Sequence, residues 1–380
     1  MESSTGKLVQ EVSIGGSDFR GSYPNIPIPD VVKETSYDAL LRKQTHYVQV
    51  PGIQPLRESV SDFLKSMDLG IMTEQVIITA GKQESYFISL QGLSRQFSDL
   101  DARGYRDARN LATYNAIKNK PIIGIPVVCH PGVRLALNVR PRQVMEIPIN
   151  PELGYSPDLM TIENILSQGC DLIYLESPNQ LTGFIYSEDQ VENISRLLEK
   201  YDALAVWDQG LAPSVINKYV SLAKKSPDRT IVIGELWPGI GISNWQIGYV
   251  AAPAPYVEGL TAIKQVISIC TGAPSQWGYL GGAKAFSEEH PHLLQEISDL
   301  KNEILATYSQ DKRILAGQAE SILAIDFGSQ VEKAKIVINK LNIQVMDGAN
   351  FNAPGILRIT MKPDALTVKT IHDLMEEVKE

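Results

Sequence analysis

RTIVIGELWPGIGISNWQIGYVAAP, residues 229–253, is the stretch that decides the fold of this chain. It opens with an apolar run, TIVIG, that is typical of a buried strand, passes through a glycine-containing turn, and ends in a second apolar run. The stretch contains no lysine, and none occurs anywhere between Lys225 and Lys264. A site built on this turn must therefore take any reactive amine from another part of the chain.

Further apolar runs precede this stretch and alternate with amphipathic helices. The predicted strands are residues 75–79, 121–128, 144–149, 172–176 and 203–207. One of the intervening helices has Ser187 as its predicted N-cap, and Gln190 completes a capping box. This alternation predicts an α/β fold with a mainly parallel, doubly wound sheet, in which ligands bind at the carboxyl ends of the strands. Asp208, Gly81 and the turn after Gly234 should meet there.

The order of elements changes after about residue 276. A long helical tract, residues 281–308, is followed by strands at 322–327, 343–346 and 356–361 and by helices at 331–341 and 368–378. We therefore predict a large α/β domain of residues 46–280, and a smaller α+β unit of residues 281–380 together with the N-terminal segment 1–45. Residues 98–120 are polar and weakly patterned, and we interpret them as an insertion or a loop with a short helix.

Composition excludes several classes of function. The 380 residues carry a net charge of −9, which argues against binding to nucleic acid or to an anionic membrane. The N-terminus has no apolar core like that of a secretory signal, so a cytoplasmic location is expected. No Cys/His spacing suggests a metal site. The three cysteines are predicted to be reduced core thiols, and only Cys129 stays open as a catalytic candidate.

Motifs in consistent order along nearly the whole chain resemble those of the class I/II aminotransferases, which are pyridoxal-phosphate (PLP) enzymes of fold type I. The matching motifs are YVQVPGIQPLR (47–57), VIITAGKQES (76–85), LIYLESPNQLTG (172–183), LAVWDQGLA (204–212) and GILRITM (355–361). The resemblance implies a mainly parallel central sheet in a large domain, a smaller α+β C-terminal domain, and a homodimer.

The resemblance also implies roles for individual residues. Asp208 corresponds to the aspartate that pairs with the pyridine nitrogen of the cofactor, and Arg358 to the arginine that holds the α-carboxylate of the substrate. The phosphate loop corresponds to Gly81, Lys82 and Gln83.

Several family positions carry different residues in this chain. Pro238 stands where the family has its lysine, and Gln246 stands where it has the arginine that binds the phosphate. Gln180 replaces the asparagine beside the ring oxygen, and Glu235 replaces a serine. His130 lies near the position of the aromatic ring that stacks on the cofactor.

Proline has no titratable group, so Pro238 can neither hold the cofactor as an imine nor move a proton. Ordinary transamination is therefore not expected, and we expect no covalent PLP-lysine, with either no cofactor or noncovalently bound PLP or pyridoxamine phosphate. The predicted substrate is a small amino-acid-like or 2-oxo carboxylate held by Arg358. Asp208, Glu235 and His130 are the candidate acid–base residues.

Two other functions remain open from the sequence. A lysine from elsewhere, with Lys82 the first candidate, would make the chain a PLP-dependent aminotransferase. A site without turnover would make it a ligand-binding pseudoenzyme. Each residue also has a structural interpretation: Asp208 capping a turn, Lys82 or Glu235 facing solvent, and Arg358 in a salt bridge between domains.

Overall fold

The computed structural model describes residues 18–24, 27–92, 121–139 and 143–378. The predicted insertion at 98–120 lies entirely outside the described residues. Within the described part, no helix combines the length and the apolar character needed to cross a bilayer.

The strands occupy nearly the positions that the apolar runs predict. They are β1 (Asp18–Phe19), β2 (Val76–Ala80), β3 (Ile122–Pro126), β4 (Gln143–Ile147), β5 (Leu172–Glu176), β6 (Leu204–Asp208), β7 (Thr230–Glu235), β8 (Ile247–Ala251), β9 (Ile314–Leu315), β10 (Ile322–Asp326), β11 (Gln344–Asp347) and β12 (Ile356–Thr360). The two strands of the opening stretch, β7 and β8, are joined by the glycine-containing turn.

The α-helices lie between these strands. They are α1 (Asp30–Leu41), α2 (Gln54–Ser66), α3 (Gly81–Gly92), α4 (Pro131–Asn138), α5 (Leu159–Ser167), α6 (Glu188–Lys200), α7 (Leu222–Lys225), α8 (Ala254–Ile267), α9 (Ala273–Thr307), α10 (Val331–Lys340) and α11 (Ala365–Glu377). The capping box predicted for α6 is confirmed, because the Ser187 hydroxyl accepts a hydrogen bond from the Gln190 amide and the Gln190 side chain accepts one from the Ser187 amide.

Within the described ranges, seven strands form the central sheet, in the order β2-β8-β7-β6-β5-β3-β4. All neighbours are parallel except for β8, which is antiparallel to both β2 and β7. The prediction of a mainly parallel sheet is confirmed. In the register of β5 and β6, Glu176 lies directly opposite Asp208, so two carboxylates meet at the carboxyl edge of the sheet.

Helices cover both faces of this sheet. Leu172 and Tyr174 of β5 pack in a core with residues of α3, α4 and α8, while Ile173 and Leu175 pack on the other face with residues of α5 and α6. Strands buried on both faces need apolar residues at successive positions, which explains the unbroken apolar runs in the sequence. This arrangement leaves the ends of the strands as the place for polar side chains.

A second sheet follows the order β1-β11-β12-β10-β9 and packs against α9, α10 and α11. Its first strand, Asp18–Phe19, comes from the N-terminal segment and pairs in parallel with β11. The division of the chain into residues 46–280 and the remainder stays a prediction, and its boundary falls inside α9.

Candidate active site

The carboxyl ends of four strands of the central sheet form the candidate site, as predicted. The turn from β2 into α3 passes through Gly81, whose φ of +70° lies in the left-handed region. A Cβ atom on Gly81 would lie 3.3 Å from the Cβ of Gln246, so glycine suits both the turn and the close approach of the β7–β8 connection. The turn directs the side chain of Lys82 inward, between β2 and β6.

Asp208, at the end of β6, is completely buried and accepts hydrogen bonds on both carboxylate oxygens. One oxygen accepts from the Tyr86 and Tyr174 hydroxyls at 2.7 and 2.9 Å. The other accepts from the amide of Gly210 at 2.9 Å and from the Gln180 side chain at 3.4 Å. The Asp208 carboxylate thus caps the turn that follows β6, which is the structural role predicted as its alternative. Hydrogen-bond donors surround both of its oxygens.

The two phenols beside Asp208 are hydrogen-bond donors to its carboxylate. Loss of hydration raises the pKa of Tyr86 and of Tyr174 well above the usual value, and the negative charge of Asp208 raises both further. Both hydroxyls therefore stay protonated at neutral pH and hold the Asp208 carboxylate in one orientation.

Lys82 lies inside the site, and the interpretation that it faces solvent is wrong. Only 7% of its side chain is exposed. Its ammonium donates to Gln180 Oε1 at 2.8 Å and lies 3.4 Å from Asp208 Oδ2. It also lies 5.7 Å from the centre of the Tyr86 ring. We call the space bounded by Asp208, Gln180, Gly210 and Tyr86 the Asp208 niche, and the Lys82 ammonium fills it.

Glu176 is a site residue that the sequence reasoning missed. Its carboxyl group accepts hydrogen bonds from the His130 amide at 2.6 Å and the Gln180 amide at 3.0 Å. It also lies 3.0 Å from the Tyr174 hydroxyl, whose single proton it shares with Asp208. Burial raises the pKa of Glu176 to about 7, and the charge of Asp208 contributes in the same direction. Its place as the last residue of a predicted strand, beside the strand that ends in Asp208, is a signal that was available in the sequence.

A cavity of about 560 Å³ opens in front of Lys82, and we call it the site cavity. Residues that line it include Tyr23, Lys82, Gln83, Glu235, Pro238 and Gln246. The Glu235 carboxylate lies 3.8 Å from the Lys82 ammonium, and about a third of its side chain is exposed (34%). Glu235 therefore faces the cavity rather than bulk solvent alone, and it places an acid beside the buried amine.

His130 lies at the edge of the site, between two aromatic rings. The centre of its ring is 5.2 Å from that of Tyr86 and 5.7 Å from that of Phe351, and its Nδ1 accepts a hydrogen bond from the Gly132 amide. Desolvation, with the positive charges of Lys82 and Arg358, holds the pKa of His130 well below its ordinary value. The imidazole is therefore neutral at physiological pH, which suits stacking better than proton donation.

Arg358 is buried in β12, with 2% of its surface exposed. One terminal nitrogen donates to the Gln180 carbonyl at 2.6 Å, and the other donates to the carbonyls of Arg20 at 2.6 Å and Gly21 at 3.2 Å. Burial lowers the pKa of Arg358 to about 10. Among the described residues no carboxylate lies within ion-pair distance of it, and its Nε has no partner. The alternative role predicted for Arg358, a salt bridge between domains, is therefore not found among the described residues.

The other residues predicted from the sequence are Gln83, Gln246 and Cys129, and each has a different position relative to the site. The Gln83 side chain donates to the Gly132 carbonyl at 3.0 Å, so it links α3 to α4. Gln246 is exposed on the cavity wall with a φ of +53°. Cys129 is buried, and burial raises the pKa of its thiol far above the usual range, so it is not a nucleophile.

The resemblance to PLP enzymes allows a test of whether the residues present fit that cofactor. A pyridine nitrogen needs a free edge of the Asp208 carboxylate, but both oxygens already accept hydrogen bonds and the Lys82 ammonium fills the niche beside them. Pro238 offers no amine, and Gln246 offers no charge for a phosphate dianion. The residues present therefore do not fit a pyridine ring at Asp208.

Known proteins with similar sequences and structures have the same fold as this chain. The family model described as aminotransferase class I and II matches residues 101–378. A probable aspartate/prephenate aminotransferase of Aquifex aeolicus is 22% identical, over 90% of this chain and 85% of its own length. A double mutant of Thermus thermophilus aspartate aminotransferase superposes with a TM-score of 0.76 at 19% identity, covering 95% of this chain and 91% of that structure. The aromatic aminotransferase of Pyrococcus horikoshii gives 0.76 at 16% identity, covering 95% and 94%.

Proposed function

The chain belongs to the class I and II aminotransferase family, and from this membership we propose that it is an enzyme acting on an amino-acid-like or 2-oxo acid substrate without lysine-dependent transamination. Members of the family are PLP-dependent aminotransferases. The proposed departure from their chemistry rests on Pro238 at the position of their lysine, and on the remodelled contacts of Asp208. We place this activity in amino-acid or specialised metabolism.

The observation that carries the proposal is a buried arginine, Arg358, that has no carboxylate within ion-pair distance among the described residues. Arg358 is held by three backbone carbonyls, which satisfy hydrogen bonds but do not compensate its charge. A substrate carboxylate that replaces the carbonyls of Arg20 and Gly21 at Nη2, and that also reaches the unpartnered Nε, would accept two parallel charge-assisted hydrogen bonds. Binding in this way requires the Arg20–Gly21 backbone to move aside, because Gly21 lines the site cavity whereas Arg358 does not.

Acid–base chemistry is assigned to the groups on the cavity side. Asp208 does not line the site cavity, so its predicted role as a catalytic acid or base gains no support from its position. Glu235 lines the cavity beside the Lys82 ammonium, and a carboxylate next to an amine can exchange a proton with a bound substrate. We therefore propose Glu235 as the principal acid–base residue.

Calorimetric titration tests whether Arg358 binds the carboxylate of the substrate. Suitable ligands are alanine, aspartate and phenylalanine, their 2-oxo acids, and ethylamine and phenylethylamine as amines without the carboxylate. We expect at least one acid to bind, the amines not to bind, and Arg358→Gln to weaken binding by at least about tenfold. Arg57→Gln is the matched control, because Arg57 also donates to backbone carbonyls, at 2.8 and 2.9 Å, but lies on α2. If Arg358→Gln binds the acid as tightly as wild type does, or if the amines bind, then Arg358 does not bind the substrate carboxylate.

The position of Lys82 favours a second candidate, a PLP enzyme that uses this lysine. Its amine is inside the site and close to Asp208. Incubation with PLP, borohydride reduction and peptide mapping distinguish the two candidates: a pyridoxyl group on Lys82 would support the second and refute the first. Ligand binding with no turnover of any bound acid would instead identify a ligand-binding protein.

We also propose a homodimer. Support comes from α1, where Tyr37, Leu40 and Leu41 are spaced along one helical face and are 64%, 50% and 63% exposed. A second copy of the chain is the partner that the family resemblance implies. Sedimentation of the purified protein should give twice the chain mass, and Leu41→Glu should shift the equilibrium toward monomer.

A further inference from the structure

The Lys82 side chain packs closely against the residues that bound the Asp208 niche. Its ammonium contacts Gln180 Oε1 at 2.8 Å and Asp208 Oδ2 at 3.4 Å. Gly210 leaves the space that the amine needs, because a Cβ atom there would lie 3.0 Å from Lys82 Nζ and 3.4 Å from Lys82 Cδ. The side chains of Lys82 and Asp208 are 7% and 0% exposed, so their pairing is shielded from water.

A buried carboxylate needs one compensating cation, and a second cation beside it is unfavourable. In this chain the compensating cation is part of the protein. A protonated pyridine ring could not approach Asp208 without displacing the Lys82 ammonium into the site cavity. Its remaining ionic partner there would be Glu235, which lies 3.8 Å from the undisplaced ammonium. Displacement would also leave Gln180 Oε1 without its donor.

We propose that the Lys82 ammonium is a built-in replacement for the cofactor cation, so that the protein excludes the rings of PLP and pyridoxamine phosphate from the Asp208 niche. The ligands that fit beside Lys82 and Glu235 are small carboxylates without an aromatic cofactor. This inference rests on the proposed function only in assuming that Lys82 forms no imine with PLP. It adds a physical reason why the cofactor would not bind, and it predicts which substitution would allow binding.

Equilibrium dialysis against pyridoxamine phosphate tests the inference, since this compound has no aldehyde and cannot react with surface lysines. Wild type is expected to retain none. Lys82→Ala empties the niche and should bind at least about tenfold more tightly than wild type. Lys82→Met also removes the charge but keeps the bulk, and should bind less tightly than Lys82→Ala because its side chain still fills the niche. Lys33→Ala, at an exposed lysine on α1, controls for loss of a surface charge. Circular dichroism establishes that each variant is folded.

The outcomes separate the two proposals. Binding of pyridoxamine phosphate by wild type, with no pyridoxyl-lysine after treatment with PLP and borohydride, overturns this inference and leaves the proposed function standing. That measurement needs no variant, so it decides the matter even where Lys82→Ala fails to fold. A folded Lys82→Ala that binds no better than wild type also overturns the inference. A pyridoxyl group on Lys82 refutes the proposed function itself.

Discussion

Replacing Glu176 with glutamine should change how the stability of the protein depends on pH. Burial raises the pKa of this carboxyl from 4.5 to about 7, so the folded protein holds a proton that the unfolded chain has already lost within this range. The contribution of Glu176 to stability is therefore fully present below pH 4.5 and is lost as the pH rises to about 7. At about 1.4 kcal/mol per pH unit, the loss is about 3 kcal/mol.

Urea unfolding of wild type and Glu176→Gln at a series of pH values measures this effect. Glutamine does not titrate, so the free energy of unfolding of wild type minus that of the variant should fall by about 3 kcal/mol between pH 4.5 and 7. The difference is needed because desolvation lowers the pKa of His130 and of His290, and both groups make the folded protein more stable as the pH rises.

The result that would refute this reasoning is a pair of parallel curves. It would mean that Glu176 is ionised in the folded protein, and that its hydrogen-bond donors compensate burial fully. Glu152→Gln, at an exposed position, controls for the loss of one negative charge. The absolute stability of Glu176→Gln is not the test, since a glutamine NH₂ would face the Gln180 amide, which donates to Glu176 Oε2.

Three further measurements test other parts of the structure. Arg358→Met should lower the free energy of unfolding in urea by about 3 kcal/mol, because it leaves buried carbonyls without donors; an unchanged midpoint would show that these bonds do not matter. Lys264→Met should cost about 3–5 kcal/mol by the same assay, since it strands the buried Glu84 carboxylate 2.8 Å away; a loss below about 1 kcal/mol would contradict a buried pair. Ellman's reagent should label Cys270 in the native protein and leave Cys129 unlabelled until unfolding, and rapid native labelling of two or more thiols would contradict the burial.

Much of the architecture follows from local sequence patterns. The strands of the central sheet are buried on both faces, and this makes each one a continuous apolar run that ends at a polar residue such as Asp208. The capping box of α6 is specified by two residues three positions apart. The short strand β1 was not predicted, because two residues carry no periodicity and their pairing depends on β11, more than 300 positions away.

The orientation of side chains in the site was harder to predict. Lys82 lies on α3, a helix in which polar residues, Glu84 among them, are buried together with apolar ones, so amphipathic periodicity does not indicate which side faces water. Arg358 was expected to await a carboxylate, but it binds carbonyls of a segment that sequence analysis cannot place beside it. Glu176 is different, since the parallel register of two predicted strands places it beside Asp208.

The bonds from β12 to the N-terminal segment also have a consequence for biosynthesis. Arg358 donates to the carbonyl of Arg20 across 338 positions of sequence, and Thr360 donates to that of Phe19 across 341. The segment that contains Phe19 and Arg20 is therefore synthesised long before its partners on β12. Contacts of such long range form late in folding, because the loop they close must be ordered beforehand. The central sheet precedes β12 in the chain and can assemble during translation, whereas this wall of the site is completed only after β12 has been synthesised.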